Sequence, residues 1–305
     1  MATRKNNPKS SLLIAAAIII FILLTLTVGE FTDVGLPGWS DGLEPESSAG
    51  DMIIHSIDVE QGDCTLVQGG GVNILIDAGE SGMGKTVRGY LESIGVDRLD
   101  WVIGSHPHSD HIGGLSNIIK KFPVGNVMLP RLPDEIAPTS RNYMDLMEAI
   151  LDKDMEITAP NPGDVYTFGE MTMTVLSPQN PSQYTDYNDC SLALIFECGG
   201  TRFFTAGDIG KGVEKDLLSQ DFDLRADIYK ASHHGSKSSN SAAFLRAVSP
   251  KYAFIPSKKG NPYKHPHQET LDRLKEQGVK YYRSDLDGTI VFRCGGGKIK
   301  VTTEK

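Results

Sequence analysis

Cysteine is scarce in this sequence and wrongly spaced for a zinc ribbon or a dithiol site: 305 residues hold 4, Cys64, Cys190, Cys198 and Cys294, and no two stand as C-x-x-C. Cys190 and Cys198 flank an apolar run, Ser191 to Glu197, that reads as a strand, and such a strand separates them by roughly 26 Å. That excludes a disulfide between them, and the cysteines are expected as small buried hydrophobes. Positive charge is also short, with 30 Lys and Arg against 39 Asp and Glu and a formal net charge of -9. Arg4, Lys5 and Lys9 stand in residues 1–29, which hold no acid, so the rest of the chain is more acidic still. Such a body is not built to coat nucleic acid non-specifically, although it leaves room for a local basic track. No internal repeat is visible. With 39% hydrophobic residues, the chain can bury one large domain or two packed halves.

Long apolar runs are absent except for one, Leu12 to Val28, interrupted only by Thr25 and Thr27. It is just long enough to span a bilayer, and longer than the apolar region of a cleaved signal; only the weak Thr27-Val28-Gly29 resembles a cleavage site. The reading is a basic cytoplasmic segment 1–11, a transmembrane signal anchor 12–28, a tether 29–50 rich in Gly, Pro and Ser, and a body 51–305. Lysine and arginine before the span set the N-terminus inside and the body outside the cell membrane. Secretion after cleavage is the alternative.

From Asp51 short apolar strands alternate with amphipathic helices. Strands are expected at 52–59, 64–67, 72–76, 99–104, 124–129, 171–176, 191–196, 202–206, 226–231 and 252–255. Helices are expected at 83–94, 115–122, 141–153, 212–218, 241–248 and 268–277. That alternation needs sheets covered by helices, so the fold class is α/β.

Histidine is rare, at 8 residues, yet three stand within His106-Pro107-His108-Ser109-Asp110-His111 directly after an expected buried strand. In extended chain His106 and His108 point the same way and offer two nitrogens to one ion. Asp110 and His111 turn toward a second position, with Gly113-Gly114 permitting a tight turn. A polar loop with several histidines is the bland alternative. Two weaker pieces join the set: Asp208 at the end of the strand Phe203 to Ala206, and His233-His234 at the end of Ile228 to Ala231. Alone, the first is an ordinary Gly-Asp turn and the second a solvated His pair; His234 is favoured over His233 as a ligand. His55 and His267 have no partner among the motifs and are read as structural.

The ordered set H-x-H-x-D-H, Gly-Asp and a strand-terminal His resembles the metallo-β-lactamase superfamily. More narrowly, Asp58 to Asp63, Leu75 to Gly79, Ser105 to Gly114, Thr205 to Asp208, Lys230 to Ser239 and Asn261 to Pro266 resemble the hydrolase domain of the competence protein ComEC, over nearly all of residues 51–293. The resemblance implies a four-layer αββα sandwich and metal-dependent hydrolysis of a phosphodiester, with DNA as substrate. It implies two divalent ions, Zn2+ or Mn2+, held by His106, His108, Asp110, His111, Asp208 and the His233/His234 pair, with Asp208 bridging. Many two-zinc members supply a further His between the first motif and the bridging Asp, yet residues 112–207 hold none. Asn188, Asp189 or water must complete that sphere.

Asp110, Asp208 and His265 are the candidate catalytic side chains. Asp63 and Asp77 are candidates for orienting the histidines, although Asp77 equally suits a turn cap. His265 lies in a basic loop, Lys258 to His265, that with Lys230 and Lys237 offers a positive rim for a phosphate, or equally an ordinary surface loop. Two other functions stay open: a cell-surface esterase for a small ester, lactone or phosphorylcholine, and a metal-dead surface binding module. No protein partner is inferred.

Overall fold

The structure, a computed structural model, describes residues 50–305. The expected segment 1–11, the span 12–28 and the tether up to residue 49 lie outside the described residues. Among the described residues no helix is long and apolar enough to cross a membrane.

The chain opens with a meander of β1 (Met52–Ser56), β2 (Thr65–Gly69) and β3 (Val72–Ile76). Helix α1 (Gly84–Ser93) then crosses over to β4 (Leu99–Ile103), which runs parallel to β3. After the single turn α2 (Ser109–Ile112) and helix α3 (Leu115–Lys121) come β5 (Val124–Met128), helix α4 (Arg141–Asp152) and β6 (Ile157–Thr158). The second half begins with the antiparallel β7 (Val165–Phe168), β8 (Met171–Ser177), β9 (Ala193–Cys198) and β10 (Thr201–Thr205). Parallel crossovers follow through α5 (Lys211–Leu218), β11 (Ile228–Lys230), α6 (Ala242–Val248), β12 (Tyr252–Ile255), α7 (Gln268–Glu276) and β13 (Lys280–Arg283). The turn α8 (Ser284–Asp287) leads to β14 (Ile290–Gly295) and β15 (Lys298–Thr303). β14 returns to the first sheet and pairs with β1, Met52 opposite Cys294. The result is an 8-stranded sheet in the order β15-β14-β1-β2-β3-β4-β5-β6 and a 7-stranded sheet from β13 to β7.

The two-residue period of a strand explains the layering. In β3, Leu75 packs among α1, α3 and α4, whereas Ile74 and Ile76 point into a core shared with the second sheet. In β10, Phe203 enters that shared core and Phe204 the third core, under α5 and α6. Three apolar layers separated by two sheets make the αββα sandwich. Because both faces are covered, the central strands read as continuous apolar runs. Phe203 is fully buried at the centre, and its loss to alanine would cost about 3–5 kcal/mol.

The expected strands and helices through Gln277 are all present, with ends shifted by a few residues. β6, β7 and β13 to β15 add to them. The four cysteines are free and buried, as expected of small hydrophobes.

Candidate metal centre

The expected site residues converge where β3, β4, β10 and β11 end. β3 stops at Asp77, whose carboxylate accepts the backbone N–H of Ser105 at 2.7 Å, the Ser105 hydroxyl at 2.6 Å and the Nδ1 proton of His111 at 2.8 Å. Asp77 is thus more than a turn cap: it welds the ends of β3 and β4 and fixes which nitrogen of His111 faces inward. Gly113 and Gly114 have ordinary helical dihedrals, so they are not needed for the turn's backbone angles. They are needed for space, since a Cβ at Gly114 would run into the Ala78 carbonyl and one at Gly113 into that of Ser109.

His106 and His108 do point the same way, with Nε2 of the first 3.0 Å from Nδ1 of the second. The Oδ1 of Asn188 also lies 3.0 Å from His108 Nδ1. Asp189 turns away and accepts the Gly210 N–H at 3.2 Å.

The second sheet supplies Asp208 and the His pair. Asp208 follows Gly207, which has a left-handed φ of +49° and packs its α-carbon against Ser191 and Ser105, leaving no room for a side chain. The Asp208 Oδ2 lies 3.4 Å from His111 Nε2 and 3.5 Å from His234 Nε2; His234 Nε2 is also 3.2 Å from Asp110 Oδ2. His234 is buried, and its Nδ1 faces Asp63 Oδ1 at 3.3 Å and the Pro256 carbonyl at 3.2 Å. His233 is less enclosed, with Nε2 3.9 Å from Asp208 Oδ2. Both histidines have positive φ, 54° and 52°, a conformation costing about 1–3 kcal/mol per residue unless neighbours enforce it. Here they do: Asn240 bonds Ser232 at both backbone groups and takes the Tyr229 hydroxyl proton. The buried carboxylate of Glu214 in turn accepts the N–H groups of Asn240 and Ser241.

His265 sits at the rim of this cluster, its ring 6.1 Å from that of His234 and 5.4 Å from that of His233. His55 lies elsewhere, buried between Tyr90 and Gln68, as a structural residue should. Lys230 departs from expectation. It is fully buried within the apolar end of β11, where its ammonium pairs with Asp63, donates to the Gly207 carbonyl at 2.7 Å and lies 3.6 Å from Asp208 Oδ1. It is therefore no part of a surface rim, because an unpaired buried ammonium would be prohibitively costly.

Four carboxylates, Asp63, Asp77, Asp110 and Asp208, share this space with one lysine. Burial opposes charge on His111, but Asp208, Asp77, Asp110 and Asp63 outweigh it and hold its pKa well above the ordinary value. The same contest, burial against Asp208 and Asp63, leaves His234 pushed up to about 10. Burial and the neighbouring positive His111 hold His106 well down. Burial, then His234 and His233, push His265 down to about 4.

The donor chemistry fits divalent cations. His106, His111 and Asp208 form one group whose donor atoms lie within 4.8 Å of one another, and Asp110, His111 and His234 form another. His111 Nε2 is buried with no hydrogen-bond partner, the state expected of an atom arranged for a cation. A third group, Asp63, Asp77 and His111, is equally tight, but Lys230 already neutralises Asp63.

Residues 57–257 match the model of the metallo-beta-lactamase superfamily. The chain is 31% identical over 68% of its length to ComE operon protein 3 of Bacillus subtilis, and 29% identical over 80% to competence protein ComA of Neisseria gonorrhoeae. It spans only 26% and 32% of those two proteins. Among solved structures, the metallo hydrolase Igni18 of Ignicoccus hospitalis matches with a TM-score of 0.52 at 15% identity, over 83% of this chain and 100% of that one, which speaks to the fold alone. Fold and donor set together support divalent metal binding and a metal-dependent hydrolase. By sequence, fold and strand-end donors alike, this chain belongs to the metallo-β-lactamase superfamily, in its ComEC-like branch.

Proposed function

We propose that the chain is a membrane-anchored, extracytoplasmic phosphodiesterase with DNA as its substrate. The observation that carries the chemistry is the convergence of the buried His106, His111, Asp208 and His234 with the half-buried Asp110 into one donor cluster drawn from both sheets. The likeness to competence proteins supports DNA, and the apolar run 12–28 behind Arg4, Lys5 and Lys9 supports the anchor.

His106, His108, Asp110, His111, Asp208 and His234 would hold two ions, with His233 as the lesser of the pair. Bound ions supply an activated water at neutral pH and stabilise charge on the attacked phosphoryl oxygen. Asp77 holds the Nδ1 proton of His111 and so keeps its Nε2 lone pair directed inward. Asp63 and the Pro256 carbonyl do the same for His234 from the other sheet. Lys230 keeps Asp63 and Asp208 from repelling each other. His265, kept neutral at pH 7 by burial and the neighbouring histidines, has a buried Nδ1 with no partner and stands at the rim of the cluster, where it would meet the phosphate.

Supercoiled plasmid, single-stranded DNA and a chromogenic phosphodiester, each offered with manganese or zinc, test the reading. Cleavage of DNA that is lost in His108→Ala and Asp110→Ala is expected. Hydrolysis confined to carboxylic esters would reject it. Protease added to intact cells should remove the body, and full protection with a permeable wall would reject the topology.

A further inference from the structure

The loop between β12 and α7 exposes a tyrosine that the site described so far does not use. Tyr263 is 61% exposed, yet its ring stacks on His265 at 5.7 Å and 25°. His265 in turn stacks on His234 at 6.1 Å and 27°, and His234 Nε2 is 3.2 Å from Asp110. Three rings, each tilted by 25–27° from the next, therefore form a file from solvent to the donor cluster, with the largely exposed Tyr263 at its outer end.

The loop is held in shape without help from a ligand. The buried amide of Asn261 donates to the carbonyls of Lys258 and His265 at 2.8 and 2.6 Å, and its oxygen accepts the His265 N–H at 2.9 Å. Gly260 and Lys264 supply the left-handed residues that close it, at φ +69° and +61°. Of the nearby lysines, Lys258 pairs with Glu60 and Lys237 with Glu269. Lys259 and Lys264 are exposed and make no ion pair among the described residues, so they stand as uncommitted cations beside an uncommitted ring on an otherwise acidic protein.

We propose that Tyr263, backed by His265, is a stacking platform for an unpaired base of a single-stranded polynucleotide, with Lys259 and Lys264 taking flanking phosphates. The inference rests on the phosphodiesterase reading above and narrows its substrate. Within a duplex both faces of each base are covered by neighbours, so an open ring of this kind selects single strands or frayed ends. Stacking tolerates any base, so little sequence preference is expected.

A short phosphorothioate oligonucleotide carrying 2-aminopurine, titrated with the full-length, manganese-loaded protein, tests this. Wild type and Tyr263→Phe should bind and quench the fluorescence. Tyr263→Ala, unchanged in circular dichroism, should bind about tenfold more weakly without quenching. Quenching and affinity unaffected by alanine, or a duplex bound as tightly as the single strand, would overturn the platform. Wild-type hydrolysis of a chromogenic diester bears on the phosphodiesterase reading alone. Tyr263-dependent quenching without hydrolysis would keep the platform and reject that reading, and hydrolysis without such quenching would do the reverse.

Discussion

His111 donates its Nδ1 proton to Asp77 over 2.8 Å, while the other oxygen of the same carboxylate holds the Ser105 backbone N–H. Because a carboxylate can only accept, Nδ1 keeps its proton when the ring is neutral, and it is then Nε2, facing Asp208, that carries the lone pair. An amide in its place can present N–H to the ring and reverse the tautomer. Asp77→Asn should keep the fold, since asparagine tolerates the left-handed φ of 59° found there, but weaken metal binding about 10–100-fold. Competition with a chromogenic chelator measures it, and wild-type affinity would refute the role.

Metal binding should release protons. In the metal-free protein His234 titrates at about 10 and His111 well above its ordinary value, because the surrounding carboxylates outweigh burial. Both rings are charged at neutral pH, and ligation needs them neutral. Apparent affinity should therefore climb with pH up to about 10. Calorimetry in two buffers of unlike ionisation heat checks this; equal heats in both would contradict it.

The two metal positions should fill unequally. In the proposed ligand set one position draws on Asp110, His111, Asp208 and His234 and the other on His106, His108 and a share of Asp208, with the neutral Asn188 amide beside His108; His111 and Asp208 also lie within reach of His106. Titration of metal-free protein should show two phases, with activity arriving in the weaker one. Asn188→Ala should depress that phase alone, by about tenfold on the scale of a lost outer contact. A single phase, or full activity at one equivalent, would count against it.

Acid stability should be limited partly by His55. Burial lowers its pKa from 6.5 to about 4, against the opposing bond from Gln68. A depressed folded value means stability is fully present above the ordinary 6.5 and is lost as pH falls to about 4. The loss is on the order of 3 kcal/mol. His55→Gln, which retains polar partners for Tyr90 and Gln68, should flatten that acid limb in urea unfolding curves. An unchanged limb would assign it to other groups.

The first motif was legible because the H-x-H-x-D-H cluster is local and directly follows an apolar strand. Asp208 and His234 were legible for the same reason, as polar residues closing apolar runs. Lys230 was misread because a lysine near two histidines suggests a rim. Its position between Tyr229 and Ala231, inside an apolar run, was the signal of burial. The pairing of β1 with β14 joins residues some 240 positions apart (Met52 with Cys294), and no local pattern encodes it. No local pattern separates Asn188 from Asp189 as the group beside His108, because only the tertiary approach of the turn before β9 brings Asn188 there. Tyr263 lies within the motif Asn261 to Pro266, but nothing in the sequence distinguishes it from its neighbours there, since its stacking on His265 is a tertiary contact.

The donor set is contributed by two sheets that otherwise meet through an apolar layer. An ion held there binds only when both are assembled, so it enters the folding equilibrium by mass action. At a hundred times its dissociation constant, an ion bound there would add about 2.7 kcal/mol to the folded state. Where metal is scarce, the chain would lose both its reactivity and a share of its resistance to proteolysis. Its steady-state amount then becomes a gauge of how much divalent metal surrounds it.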